Sequence, residues 1–472
     1  MLLSLFSLTQ LPPLLIAWWL DGPELHAFLS AFLIILITGL ILWFPVRNVH
    51  KELRMRDGFI VVMLFWAGLG LSGAIPLILS ESPHLSVTDA VFESISGLTT
   101  TGATVLTGID YLPKSLQFYR QELQWLGGMG IIVLAVAILP ILGIGGMQLY
   151  RAETPGPLKD SKLTPRITET AKALWYIYLS MTIACAFCYW LAGMTPFDAI
   201  AHSFSTISIG GFSTHDMSIG YYNNVYIEAT AVVFMVMSGI NFTLHYLAWQ
   251  HASFNPYRFD SELKAYLVWL AGLCLFVSFY LEIKGDYDDY LSPLAEGIFQ
   301  TVSIATTTGF TTAKYYTWPD LLPVLLIFSS FVGACAGSTG GGLKVIRVLL
   351  LFRQGLREIR RLVHPNAIIT VKINNKSVHE RVINAIWGFF ATYISVFAIL
   401  MLSLMATGLD QVTAFSAMGA CINNMGPGLG AVSDHYGYIN DVAKWILCIA
   451  MLLGRLEIFT LLVLLTPTFW RK

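Results

Sequence analysis

Charge is what this chain has least of: Asp, Glu, Lys and Arg make up 12% of its 472 residues. Soluble globular chains carry about 25%. The deficit excludes a cytosolic enzyme and a disordered chain. The formal net charge of −1 leaves no electrostatic footprint for DNA or RNA, so no nucleic-acid partner is expected. Cysteine is also scarce. The six (Cys185, Cys188, Cys274, Cys335, Cys421 and Cys448) lie mostly in apolar runs without zinc-type spacing, so neither a disulfide framework nor a metal site is expected. No H-E-x-x-H and no nucleophile–base constellation points to a membrane enzyme. A P-loop and a dinucleotide fingerprint opening a βαβ unit are also missing, so no nucleotide is expected on this chain. LGIGGMQ at 142–148 lies at the end of an apolar stretch.

What is there is apolar: 56% hydrophobic residues, a mean hydropathy of +0.66, and 13 Trp, 20 Tyr and 29 Phe, which suit interfacial aromatic belts. Stretches long enough to cross a bilayer cover roughly 2–20, 26–46, 58–79, 122–149, 173–193, 225–250, 264–283, 321–352, 382–406 and 441–466. Met1 to Trp19 has neither a positive leading region nor a small-residue cleavage site, so it reads as a membrane helix. Ten spans put both termini on one side. The segments 46–57, 149–172, 251–264, 344–381 and 466–472 on that side hold 22 Lys and Arg, against five opposite. The positive-inside bias makes that side, with both termini, cytoplasmic.

Four half-apolar stretches lie on the other side, too short to cross. Without gaps they align as Asp89–Gly102 (DAVFESISGLTTTG), Asp198–Gly211 (DAIAHSFSTISIGG), Glu296–Gly309 (EGIFQTVSIATTTG) and Thr413–Gly426 (TAFSAMGACINNMG). Each opens on an N-cap or acidic first-turn residue and closes on glycine after small or hydroxyl residues. Another glycine follows 28 residues on: Gly130, Gly239, Gly337 and Gly454. The expected fold is an all-α membrane protein. Two leading helices (1–46) precede four tandem helix–pore-loop–helix repeats (47–150, 151–252, 253–355 and 356–472) around a pseudo-fourfold axis, with ten spans and four re-entrant pore helices.

Non-helical backbone at membrane depth is tolerated only where it lines water or is buried in protein. Four such loops can meet on one axis. Their carbonyls can replace a cation's hydration shell, and the negative ends of the short helices favour a cation and repel an anion. Glycine admits backbone angles that a side chain forbids.

A second device is expected in 321–352, longer than crossing needs. Its middle, Gly333–Gly342 (GACAGSTGGG), holds only small residues, and Gly333, Gly337, Gly340, Gly341 and Gly342 are glycine. In a helix each costs about 1 kcal/mol relative to Ala. Small-xxx-small packing explains Gly333 and Gly337 but not the triple, so a loop able to plug the pore below the filter is expected. Arg455 follows Gly454 at the matching place of repeat 4. It must meet water or a partner there, and the loop's carbonyls can supply one. The alternative partner, Glu457, faces differently. Glu122, Asp89, Asp198 and Glu296 are candidates to draw cations to the mouth, but capping is the preferred reading for the last three. His202 reads as packing.

Residues 99–103 (TTTGA), 208–213 (SIGGFS), 306–311 (TTTGFT) and 423–428 (NNMGPG) resemble the four filter loops of the Trk/Ktr/HKT superfamily of potassium transporters. SISGLTTTGATVL (94–106) and SIGGFSTHD (208–216) resemble its TrkH branch most, and the resemblance covers essentially the whole chain. It implies K⁺ uptake across the bacterial inner membrane, with glycine rather than serine in the first loop favouring K⁺ over Na⁺. K⁺ would be held by backbone of Thr100, Thr101 and Gly102; Ile209, Gly210 and Gly211; Thr307, Thr308 and Gly309; and Asn424, Met425 and Gly426. The fourth loop departs from the Thr-rich pattern. The resemblance also implies a basic residue beside a gating loop, a homodimer, and a TrkA-type cytoplasmic ring that binds nucleotide. The basic segment 344–381 suits such a regulator or lipid headgroups. A Na⁺- or H⁺-coupled symporter is the alternative, but that class usually shows inverted repeats, whereas these all enter from the same side.

Overall fold

A computed structural model describes residues 2–48, 55–133, 167–284, 291–319, 321–367, 369–374 and 376–470. The inner part of the stretch 122–149, most of the segment 149–172 and the boundary at 150/151 lie outside these residues.

The chain opens with the leading spans Leu2–Trp19 and Leu25–Val46. The outer, pore and inner helices of repeat 1 are Met55–Gly73, Val87–Leu98 and Lys114–Val133. In repeat 2 they are Ile167–Leu191, Pro196–Ser208 and the pair Val225–Ser238 and Phe242–Gln250. Repeat 3 has Ser261–Lys284, Leu291–Ala305 and the pair Leu321–Val332 and Val345–Val363. Repeat 4 has Glu380–Ala406, Gln411–Ile422 and the pair Asp441–Arg455 and Phe459–Leu465. Lys372–Ile373 and Lys376–Ser377 pair as a small antiparallel hairpin before the last repeat.

Six of these helical stretches are long and apolar enough to span a bilayer, and the repeat-2 inner pair makes a seventh. The three remaining expected spans look different. The stretch 122–149 is described only to Val133, and 321–352 and 441–466 are broken into shorter helices. The stretch 225–250, expected as one span, turns by 90° between its halves.

Three pore helices start on a capping side chain. The Asp89 amide donates to Ser86 Oγ (3.1 Å), the Asp198 amide to Thr195 Oγ1 (3.2 Å), and the Val412 and Thr413 amides to Asp410 (both 3.1 Å). Asp89 and Asp198 therefore sit in the first turn as expected, while the cap of repeat 4 is Asp410 rather than Thr413. Glu296 departs from the expectation, lying beyond the first turn of Leu291–Ala305.

Each pore helix packs on the outer helix of its own repeat and on the inner helix of the repeat before it. Pore helix 2 meets inner helix 1, pore 3 meets inner 2, pore 4 meets inner 3, and pore 1 meets inner 4, which closes a circle. The buried apolar residues divide accordingly. Phe28, Trp66, Phe92, Phe389, Met418 and Leu447 join the leading helices to repeats 1 and 4, and Tyr178, Tyr189, Phe234, Tyr266, Phe299 and Leu326 join repeats 2 and 3. Outward-facing apolar side chains such as Trp18, Ile41, Ile183, Phe279 and Leu402 remain exposed, as lipid requires.

Candidate ion pathway

The four pore helices end alike. The amides of Thr101, Gly210, Thr308 and Met425 each donate over 2.8 Å to the carbonyl five residues back, those of Ser96, Ser205, Ser303 and Ala420. This is the longer bond of a Schellman-type C-cap. It requires a left-handed residue just before, and Thr100, Ile209, Thr307 and Asn424 have φ of 52°, 56°, 69° and 53°. Two residues later Gly102, Gly211, Gly309 and Gly426 have φ of 81°, 80°, 84° and 94°. Three non-glycine side chains held in this region and a fourth, asparagine, are a local strain that the surroundings must impose.

The glycines also close a ring. A methyl on Gly102 would lie 2.2 Å from the carbonyl oxygen of Gly210, and one on Gly211 would lie 2.1 Å from that of Thr308. On Gly309 it would lie 2.1 Å from Met425 O, and on Gly426 2.6 Å from Thr101 O. Each glycine thus gives room to the carbonyl of the next repeat, and the fourth returns to the first. The stretches 100–102, 209–211, 307–309 and 424–426 expected at the filter meet through these contacts, and the four glycines share one cavity of about 370 Å³. Hydroxyl pairs brace the loops of repeats 1 and 3, Thr99 to Thr101 and Thr306 to Thr308, both at 2.7 Å. In repeat 4, Asn424 Nδ2 donates to Thr101 Oγ1 and to Met451 O, both at 3.0 Å. In repeat 2, Gln124 brackets the loop: its Nε2 donates to Gly210 O (2.6 Å) and its Oε1 accepts from the Phe212 amide (3.0 Å). Gln124 was not singled out from sequence. Its only signal is a polar residue in an apolar run, and it explains why position 210 has no side chain: a methyl there would sit 2.4 Å from the Gln124 amide.

The charged wall of this cavity is made by residues other than the four acidic candidates. Asp216 and Asp434 line it, with Arg120, His215, Lys314 and His435. Asp89 is instead paired with Lys444 (2.6 Å), Glu122 is 7% exposed inside the protein, and Glu296 does not line the cavity. Asp198 accepts from Thr195 Oγ1 (2.7 Å) and Thr214 Oγ1 (2.8 Å). Arg120 and Glu93, each 1% exposed, pair at 2.7 Å, and Arg120 also donates to Ser213 O of repeat 2 (3.2 Å). Nearby, His215 Nδ1 meets Asp110, its Nε2 is 3.8 Å from Asp198, and its ring stacks on Tyr221. Burial disfavours the charged imidazole, yet the two carboxylates outweigh it and raise the pKa of His215. Burial works against the Asp110 carboxylate as well, and the hydrogen bonds from His215 and Asp216 together outweigh it, so its pKa is lowered. His202 is fully buried, bonded to Asp198 O and Ser213 Oγ at 2.9 Å each.

Below the ring, the inner helix of repeat 3 breaks at Val332 and resumes at Val345. Gly333 and Gly342, at φ 67° and 74°, pinch the base of the intervening loop: a methyl on Gly333 would meet Gly341 O at 2.3 Å, and one on Gly342 would meet Ser330 O at 2.6 Å. The glycine triple reaches up to the filter loops. The Gly341 amide donates to Thr307 Oγ1 (2.7 Å), and there is no room for a methyl on Gly341, which would lie 1.9 Å from Asn423 O. Gly340 lies under Thr306 O and Ile209. Gly337 faces the break in repeat 2, where its carbonyl accepts from the Phe242 amide (3.0 Å) and the Cys335 amide donates to Gly239 O (2.9 Å). Arg455, 5% exposed, donates from Nη1 to Thr339 O (3.0 Å) and from Nη2 to Gly127 O (3.3 Å). Glu457 pairs with Arg347 instead (2.8 Å).

One expected glycine is displaced. A methyl on Gly454 would lie 2.0 Å from Ile422 O, four residues before the closing glycine of its loop. The same place in repeat 1, 1.8 Å from Leu98 O, belongs to Gly127, whereas Gly130 meets only Trp66 at 3.6 Å. The equal 28-residue spacing that selected Gly130 is therefore coincidental.

Comparison with known proteins agrees with this architecture. The family model TrkH, described as a cation transport protein, matches residues 24–280 and 290–472. The Trk system potassium uptake protein TrkH of Vibrio parahaemolyticus is 58% identical over 478 residues, covering 100% of this chain and 98% of the relative. The Trk system potassium uptake protein TrkG of Escherichia coli is 44% identical over 473 residues, covering 100% and 97%. The crystal structure of the potassium transporter TrkH from Vibrio parahaemolyticus superposes with a TM-score of 0.93 at 55% identity, covering 100% of this chain and 97% of that one.

Proposed function

The chain belongs to the TrkH family of cation transport proteins, and from that premise we propose that it takes up K⁺ through the ring of four pore loops, under the control of the loop beneath. The observation that carries this reading is the closed circle of glycine–carbonyl contacts from Gly102 through Gly211, Gly309 and Gly426. A monovalent cation sheds water only where oxygens replace it from every side. The carbonyls beside Thr100, Thr101 and Gly102, Ile209, Gly210 and Gly211, Thr307, Thr308 and Gly309, and Asn424, Met425 and Gly426 are the oxygens assigned to that task. Four helix C-termini add partial negative charge.

The barrier sits below. The segment Gly340–Gly342 fills the space under the filter, held at its neck by the contact of Gly333 with Gly342 and on its far limb by Gly337 against the break in repeat 2, and Arg455 fixes it through Thr339. A guanidinium beside the path repels a passing K⁺, the more strongly the less water lies between them. Opening then needs the loop and the arginine to leave the axis together.

The orientation follows from the charge bias, with both termini cytoplasmic in the inner membrane and repeats bounded near residues 47, 151, 253 and 356. The Arg-rich helix Val345–Val363 continues from the loop on that side. It offers a surface for a TrkA-type nucleotide-binding ring serving a dimer of this chain, with anionic lipid as its other contact.

The test is flux. Purified protein in liposomes is expected to pass K⁺ and Rb⁺ faster than Na⁺. Equal Na⁺ flux would refute the filter assignment. Flux that strictly requires an imposed Na⁺ or proton gradient would favour the symporter.

A further inference from the structure

Glu262 is buried, 1% exposed, at the second residue of the outer helix Ser261–Lys284 of repeat 3. One oxygen, Oε1, accepts from two amides: that of Ala336 (2.7 Å), in the loop beneath the filter, and that of Ile346 (3.2 Å), in the first turn of the helix that follows it. Neither donor has a partner inside a regular element, since Ala336 lies in the loop and first-turn amides have no intrahelical acceptor. Glu262 therefore ties the rising limb of the loop to its exit.

Its own anchor is cytoplasmic. The Ser261 amide donates to Asn374 Oδ1 (2.8 Å), and Asn374 Nδ2 reaches Asp260 Oδ2 (3.4 Å). Asn374 is at the tip of the hairpin Lys372–Ile373 and Lys376–Ser377, and Arg353 of the helix Val345–Val363 donates to Lys372 O on the same hairpin. Loop, following helix, hairpin, helix start and Glu262 thus form one closed circuit of contacts.

We propose that Glu262 is the positioning residue that latches this loop in its blocking place, and that the hairpin tip is the handle through which displacement on the cytoplasmic side releases it. The inference rests on the reading of the loop as a gate. In the latched state the carboxyl satisfies two buried donors. With the loop displaced, water satisfies them, so removing the acceptor penalises only the closed state.

The experiment is rubidium-tracer flux through the full-length protein in liposomes, without other proteins. Glu262→Leu is expected to raise flux about tenfold, the effect of stranding one to two buried donors. Glu262→Gln keeps an acceptor oxygen and is expected to restore the low flux, which a merely structural loss would not. Asn374→Ala, at the partly exposed tip, is expected to raise flux about two- to threefold by loosening Ser261, and it decides the matter should Glu262→Leu fail to fold. Arg455→Ala is measured alongside. If it raises flux and neither Glu262→Leu nor Asn374→Ala does, the latch is overturned while the gate stands. Equal leak through Glu262→Leu and Glu262→Gln also overturns the latch. If no variant raises flux, the gate reading falls and the latch with it.

Discussion

The two halves of the proposed pathway, the glycine ring and the region beneath it, are built on opposite plans. In the ring, four repeats contribute the same amide-to-carbonyl closure, the same pair of left-handed residues and the same glycine contact to the next repeat. Beneath the ring, the inner helices of repeats 2, 3 and 4 break at three different places, at 239–241, 333–344 and 456–458, and among the described residues only repeat 3 supplies a long loop. An ion stripped of water needs equivalent oxygens all round, which enforces symmetry. A barrier needs one element able to leave, and symmetry would only multiply what must move. The ring should therefore answer perturbation with lost stability or lost permeation, and the region beneath it with gained flux.

The largest effect is expected where the outer scaffold is bolted. Arg120→Met leaves Glu93 buried and unpaired and should cost about 3–5 kcal/mol, read as lost thermal stability of the purified protein. A variant as stable as the parent would break the contrast. Next come the ring glycines. Gly102→Ala, Gly211→Ala and Gly309→Ala each drive a methyl into a carbonyl at a positive φ, and each should cut K⁺ flux about a hundredfold or more. Gly426→Ala, with the roomiest contact of the four, should lose least, and a different ranking would sharpen the geometry of the ring. The sign reverses beneath the ring: Arg455→Ala removes a repelling charge and should raise flux about tenfold or more. Unchanged or lower flux would refute the barrier.

The smallest effect is one of pH. A raised pKa means that the bonds from His215 to Asp110 and Asp198 stabilise the fold fully below the unfolded imidazole value and are lost as pH rises through the folded one. Raising the pH from about 6 to about 9 should lower the melting temperature by about 1–2 °C, and His215→Gln should remove that part of the change. An unchanged pH dependence in His215→Gln would sink this account.

The ring of glycine-closed loops was legible because its signal is repeated. No single TTTG says much, but a glycine closing four aligned stretches does, and the φ values show why no other residue serves. The loop at 333–342 was legible for a simpler reason, since five glycines in ten residues make a poor helix. The break at Gly239–Asn241 was not, because one asparagine in an apolar run carries no sign of a 90° turn until its side chain is seen capping the Thr243 amide. The first-turn places of Asp89 and Asp198 were legible, but their partners were not, because spacing does not reveal them: Lys444 claims Asp89 from 355 residues away. Gln124 and Glu262 act on backbone groups of distant segments, so only the folded chain shows what they hold.

Asn424 reaches Thr101 across 323 residues, and the first pore helix leans on the last inner one. A ribosome delivers the beginning long before the end. Repeat 1 must therefore wait in the bilayer with one flank open until nearly the whole polypeptide has been inserted. The circle can close only once Asp441–Arg455 is in place, and a chain stopped short of residue 441 would leave the first quarter without that neighbour.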